Sequence, residues 1–213
     1  MIVGCGKSVL FSSIVNSLEN GPRLEATGPL SAYFYCLYRK GAQHDLAPIL
    51  QSFIAQLCPF DYIPAALQSL YDRLNSKFPP GIPSDVELKD TLLAIIHDHG
   101  ARTTITRDVF ILIDALDELP LGSSRDAIIQ FLDELASYRI PHLHLLATAR
   151  NDTDIRMGLS SWDIRLCIDK SKMIEDMRLF VTRELEKDIG LASKSGAIKD
   201  EIVRRLVDEG NGM

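Results

Sequence analysis

Residues 109–118 read VFILIDALDE, and this stretch constrains the fold more than any other. Val109 to Ile113 is apolar at every position and rich in β-branched residues, too short for a helix by preference and apolar on both faces. Such a run is the pattern of a strand covered above and below, as in a parallel sheet under helices. Parallel neighbours cannot be joined by tight hairpins, so the chain must supply a helical crossover between each pair of strands. The strand ends in Asp114, with Asp117 and Glu118 close behind. In an open α/β sheet, that carboxyl end borders the crevice where ligands bind.

The flanking sequence supplies the crossovers. Val9, Leu10, Ile14, Val15 and Leu18 recur at helical spacing, and Asn20-Gly21-Pro22 stops the run, which predicts a helix over about Ser8 to Leu18. Leu30 to Tyr38 (LSAYFYCLY) predicts a buried strand, and Asp45 to Leu57, Pro64 to Leu74 and Ser84 to His97 predict helices. Pro59 and Pro79-Pro80-Gly81 separate those helices. After the acidic loop come a helix near Arg125 to Tyr138 and a strand over Leu143 to Thr148 (LHLLAT). A short helix near Asp152 to Leu159 and a strand over Asp163 to Ile168 follow. Helices over about Lys172 to Lys187 and Ala197 to Glu209 close the chain. The alternation predicts an α/β fold with a doubly wound parallel sheet.

Composition excludes several classes. A net charge of −6 and a pI near 5.4 argue against a nucleic-acid or anionic-membrane surface, which would want clustered Lys and Arg. Cys5, Cys36, Cys58 and Cys167 show no C-x-x-C spacing, so neither a disulfide framework nor a zinc knuckle is expected. No apolar run approaches the ~20 residues of a spanning helix. Ile2-Val3-Gly4-Cys5 looks like a lipoprotein box, but nothing before it resembles an export signal. A cytoplasmic location with reduced thiols is the expectation.

The chain opens MIVGCGKSVL. Gly6-Lys7-Ser8 fits the end of a phosphate-binding loop G-x-x-x-x-G-K-[ST], in which backbone N–H groups cradle phosphate. Lys reaches the β- and γ-phosphates, and Ser offers an oxygen to Mg²⁺. Met1 stands where the first Gly belongs. Asp114 would hold the water shell of the metal, with Glu118 the first and Asp117 the second choice to orient an attacking water. DALDE also suits a plain helix start, acids at the positive end of the dipole. Thr148 and Arg150 place a hydroxyl and a guanidinium at the tip of the next strand. There Arg150 would sense γ-phosphate charge, or else pair with nearby Asp152 or Asp154. His97, His99, His142 and His144 suit either metal ligation or a polar helix end and strand start. Trp162, Tyr33, Phe34 and Tyr35 are expected in or beside the core.

GCGKSVL, AYFYCLYR, a helix ending FIAQL, ILIDALDELP, LLATARNDTDI and LVDEGNGM occur in this order. Together they resemble the NACHT-type, nephrocystin-like N-terminal P-loop NTPase domain (STAND class) of large fungal repeat proteins. Asp114, Ala115, Asp117 and Glu118 match that family's acidic motif. Thr148 and Arg150 match its T-S-R-P sensor, from which Ala149 and Asn151 depart.

The resemblance implies a three-layer P-loop core over residues 1–169 and the start of a helical extension over 170–213. It implies a switch binding Mg-ATP or GTP, with Gly4, Cys5, Gly6, Lys7, Ser8, Val9 and Thr148 around the nucleotide. Ser8 and Asp114 would hold the metal, and Glu118, Asp117 and Arg150 would serve catalysis. In that family, the strand feeding the phosphate loop lies between LHLLAT and the strand containing IRLCI. With only Met1-Ile2-Val3 before the loop, the sheet is expected to lack this first strand, and the chain to hydrolyse ATP poorly or not at all. The alternative is a non-catalytic interaction module or gene fragment with impaired nucleotide binding, whose partners are copies of itself or repeat domains absent here.

Overall fold

The computed structural model describes residues 6–20, 28–36, 45–58, 63–76, 78–101, 107–167 and 170–209. Lys7–Asp163 form one compact unit; Gly6 and the described residues from Ile164 onward belong to another.

The first unit is mixed α/β. Strands β1 (Leu30–Tyr35), β2 (Val109–Asp114) and β3 (Leu143–Ala147) form a parallel sheet in the order β1-β2-β3. The register runs from Leu30 opposite Val109 to Tyr35 opposite Asp114, and from Val109 opposite Leu143 to Ile113 opposite Ala147. Helices α1 (Lys7–Asn20), α2 (Leu46–Leu57), α3 (Ala65–Asn75), α4 (Asp85–Ala101), α5 (Ser123–Ser137) and α6 (Thr153–Gly158) surround it.

The period of two along β2 divides the core. Val109, Ile111 and Ile113 face one side, where they meet Ile49, Leu50 and Phe53 of α2, Leu92 and Ile95 of α4, and Ile128 and Leu132 of α5. Phe110 and Leu112 face the other side, where Leu112 packs with Phe11 and Val15 of α1. Among the described residues of this unit, the first face carries the larger buried cluster and the second carries α1.

β2 is central, as its doubly apolar run requires. β1 is at an edge among the described residues, so LSAYFYCLY is less enclosed than its composition suggests: Ala32 and the following Cys36 are its fully buried residues. Leu37 and Tyr38 lie outside the described residues. Gln56 of α2 closes this edge, its Oε1 accepting from Tyr33 N (3.0 Å) and its Nε2 donating to Tyr33 O (2.9 Å). The amide occupies both groups that a neighbouring strand would use.

The strand expected over Asp163 to Ile168 is not formed across the described residues 163–167. Ile164 and Leu166 are 74% and 91% exposed. A strand exists only where a neighbour pairs with its backbone, and these residues have no such partner among those described. Ile168 lies outside them.

In the second unit, α7 (Lys170–Lys187), α8 (Ile189–Ala192) and α9 (Gly196–Arg204) follow in turn, with a π-type turn over Arg205–Glu209. Asp188 caps α8, accepting from Gly190 N and Leu191 N. Leu185 and Val207 are its buried apolar residues among those described.

Candidate functional site

At the carboxyl edge of the sheet the loops after β2 and β3 are joined to each other. Asp114, 3% exposed, ends β2. Thr148, just beyond β3, binds both loops together. Its Oγ1 donates to Asp114 Oδ1 and accepts from Ala115 N (2.9 Å), its N donates to Ile113 O, and its O accepts from Leu116 N. Cys36 N donates to Asp114 O (3.0 Å), so the tip of β1 joins the same edge.

Ala115 has φ 59° and ψ 48°, the left-handed region, and begins the tight turn Leu116–Glu118. A side chain there crowds the following carbonyl, which explains a small residue directly after the strand-end acid. Asp117 turns inward, its side chain 5% exposed, onto Arg150: Oδ2 lies 2.9 Å from Arg150 Nε, and Oδ1 accepts from Arg150 N at 2.8 Å. Both acids border a cavity of about 510 Å³ together with Leu121, Arg125, Arg150 and Asp152.

Arg150 therefore pairs with Asp117 and not, as the alternative reading of its sequence had it, with Asp152 or Asp154. Those acids belong to Arg125, 3% exposed in the first turn of α5. Arg125 Nη2 donates to Asp152 Oδ2 and Asp154 Oδ1, both at 3.2 Å, and Nη1 donates to Leu119 O. Its Nε lies 2.9 Å from Asp154 Oδ2, an ion pair without hydrogen-bond alignment. Nothing in the sequence marks Arg125 apart from any Arg at a helix start. Only the fold brings acids of a later loop to it.

Cys36 sits among these acids. Burial, and then the negative charges of Asp114, Glu118 and Asp117, push its thiol up to about 12. It is held as the neutral thiol.

The first turn of α1 comes to this same edge and to the Asp114 face. Phe110, Leu112 and Asp114 alternate onto the side covered by α1. Phe11 packs edge-on to Tyr35 with ring centres 5.1 Å apart, and Ser12 Oγ meets the Tyr35 hydroxyl at 3.2 Å. Tyr35 is the register partner of Asp114. Further along α1, Glu19 reaches the hydroxyl of Tyr33, whose pKa is raised by burial first and by Glu19 second. The helix thus runs against the strands, its amino end toward their carboxyl ends. Lys7 is half-buried there, and Ser8 and Val9 are exposed. Gly6 has φ +78°, a left-handed conformation that suits glycine. Gly4 and Cys5 lie outside the described residues.

Of the four histidines singled out above, His97 is exposed and the other three have partners of their own. His142 Nε2 meets Ile96 O (3.0 Å), His144 Nε2 meets Asp108 Oδ1 (3.0 Å), and buried His99 Nε2 meets Leu57 O (3.1 Å). No group of three or more His, Cys, Asp or Glu among the described residues is placed to hold a metal ion. Trp162 and Phe34 pack against the large cluster, Tyr33 and Tyr35 against the small one. No helix among the described residues is long and apolar enough to cross a membrane.

Residues 1–150 match the family described as nephrocystin 3, N-terminal. The chain belongs to this family. The nephrocystin 3 N-terminal match takes in α1, the three described strands and the loop up to Arg150, so of the residues named at this edge only Asp152 and Asp154 fall outside it. No curated protein matches the chain.

Proposed function

We propose that this nephrocystin 3 N-terminal domain is a nucleotide-binding switch of the NACHT, P-loop type, taking Mg-ATP or GTP with slow hydrolysis at most and acting in the cytoplasm. The observation that supports the reading is the packing of Phe11 and Ser12, near the amino end of α1, on Tyr35, the register partner of Asp114. The first turn of α1 contains no acidic residue, so the positive end of its dipole is left for an anion. Lys7 would add a full charge there, and Ser8 would offer its N–H to the phosphates.

The donor set fits magnesium. That ion is held by one or two carboxylates, with waters and substrate phosphates completing its shell, so a convergent cage of acids is not required. Asp114 offers one carboxylate, and among the described residues its hydrogen-bond donor is Thr148 Oγ1 on Oδ1. Ser8 would supply a hydroxyl. Bound there, the ion would neutralise phosphate charge. Glu118, on the cavity wall beside Asp117, would take the proton of an attacking water.

The test is nucleotide affinity and phosphate release with and without Mg²⁺. Lys7→Ala is expected to lower ATP affinity at least tenfold, since it removes charge from the bound phosphates. Glu118→Gln is expected to leave affinity within about twofold while slowing any turnover, because it acts on water alone. Equal loss of affinity in both variants would give Glu118 a structural part and defeat the assignment.

A further inference from the structure

We infer that residues 79–83, in the exposed connection between α3 and α4, are a docking segment for a second protein, taken up as a polyproline II turn in a groove walled by aromatic rings, as an SH3 domain presents. The run shares no residue with the edge read above as a nucleotide site, and either reading can fail without the other. Its exposure is the first observation. Phe78 is fully exposed (101%) and Ile82 88% exposed, and Pro79 and Pro80 are exposed beside them, although Leu70 and Leu88 on either side are buried. Apolar groups are thus left in water next to a core that takes their neighbours.

The sequence of the run, Pro79-Pro80-Gly81-Ile82-Pro83, restricts its backbone. Proline holds φ near −65° at three of these positions, and a residue before proline is pushed out of the helical region, which acts on Pro79 and Ile82. Every position but Gly81 is so biased toward extended backbone of the polyproline II kind, and residues 80–84 form neither helix nor strand. A polyproline II helix has three residues per turn and rises ~3.1 Å per residue, so Pro79 and Ile82 share one edge and Pro80 and Pro83 the next, each pair about 9 Å apart. Two successive apolar-proline pairs are offered to a groove. The third edge is Gly81, which has no side chain, is half-buried and donates its N–H to Leu74 O (3.1 Å).

Both ends of the connection are tied. Ser76 N donates to Asp72 O (3.0 Å), and Ser84 N and Oγ donate to Glu87 Oε2 at 2.8 and 2.9 Å. Among the described residues, the carbonyls of residues 78–83 accept no hydrogen bond, so they are open to donors of a partner. A run restrained in φ and held at both ends gives up little conformational entropy on binding, which is what recognition of P-x-x-P segments exploits. In the sequence around it Asp72, Asp85 and Glu87 outnumber Arg73 and Lys77, a balance that favours a protein groove over an anionic bilayer.

The experiment titrates the full chain with a panel of purified SH3 domains. At least one is expected to bind with a Kd below about 1 mM and to move the ¹⁵N signals of Gly81 and Ile82, whose amides are the only ones in the run. Changing Pro80→Ala and Pro83→Ala together is expected to weaken that binding at least tenfold, whereas Phe78→Ala, which removes a larger apolar group outside the run, is expected to stay within about twofold. A greater loss in Phe78→Ala than in the proline variant reports unspecific apolar adhesion and overturns the inference. Signals that move elsewhere while Gly81 and Ile82 stay still overturn it in the wild-type chain, whatever the variants do to folding. A panel in which no domain binds overturns it as well, and binding to phosphatidylserine vesicles in place of any SH3 domain would make the segment a lipid contact instead.

Discussion

At the scale of single residues, the highest stake is at Arg125. A guanidinium 3% exposed is held by a carbonyl and two carboxylates whose side chains are 32% and 36% exposed. Arg125→Ala would leave Asp152 and Asp154 facing each other and Leu119 O without its donor. Breaking a fully buried pair costs 3–5 kcal/mol, and the partial exposure of these acids lowers the expectation to about 2–3 kcal/mol. Arg125→Lys is expected to recover less than half of that, because a single ammonium cannot span three acceptors. Urea unfolding of both variants checks this; a loss under about 0.5 kcal/mol for Arg125→Ala would place it with ordinary surface pairs. Residue chemistry that depends on spacing along the chain was legible beforehand: Lys7 and Ser8 behind Gly6, and Asp114 at the end of an apolar run. The Arg125 pairs and the Asp117–Arg150 pair were not. They join residues about thirty apart through a fold, and no property of either partner alone announces the other.

At the scale of elements, α4 begins with a reciprocal cap. Ser84 N and Oγ both donate to Glu87 Oε2, Glu87 N reaches back to Ser84 Oγ, and Arg73 of α3 joins Glu87 from the side. The Ser84 backbone N–H first, then Arg73 and the Ser84 hydroxyl, lower the Glu87 carboxyl from 4.5 to about 2. A lowered carboxyl pKa stabilises the fold above pH 4.5, and that contribution is lost as pH falls toward 2. The melting-temperature gap between wild type and Glu87→Ala is therefore expected to be constant from pH 7 to 5 and to shrink progressively below 4.5. A gap independent of pH would refute the cap's charge dependence. Strand β1 offers a second test. Gln56→Leu removes both bonds to Tyr33 and leaves an open strand edge, so a loss of about 1–2 kcal/mol with concentration-dependent self-association by light scattering is expected. A variant that stays monomeric and fully stable would show that the edge needs no cover. The strands with β-branched or aromatic runs and the main helices were readable from sequence, within a few residues at their ends. The stretch at Asp163 to Ile168 was not, because composition states only what a strand tolerates and pairing decides whether one forms.

At the scale of the whole molecule, the two faces of the sheet in Lys7–Asp163 are unequal among the described residues. One carries α2, α4 and α5 over a broad buried cluster; the other carries α1, held by Phe11, Val15 and Leu112. The hydroxyls of Ser13 and Ser17 in α1 turn back onto Val9 O and Ser13 O, which weakens rather than supports a helix. Native-state hydrogen exchange should therefore show α1 amides opening at least tenfold more often than those of α2 and α4, with no loss of the sheet. Equal protection across all three would mean that α1 belongs to one cooperative unit with the core. The inequality gives the amino end of α1 an unusual thermodynamic position. A ligand held there would spend part of its affinity on quieting a layer that breathes, so its occupancy would register as slowed local unfolding. The molecule would report an anion at that edge by the stiffness of one helix, while its thick side stayed as it was.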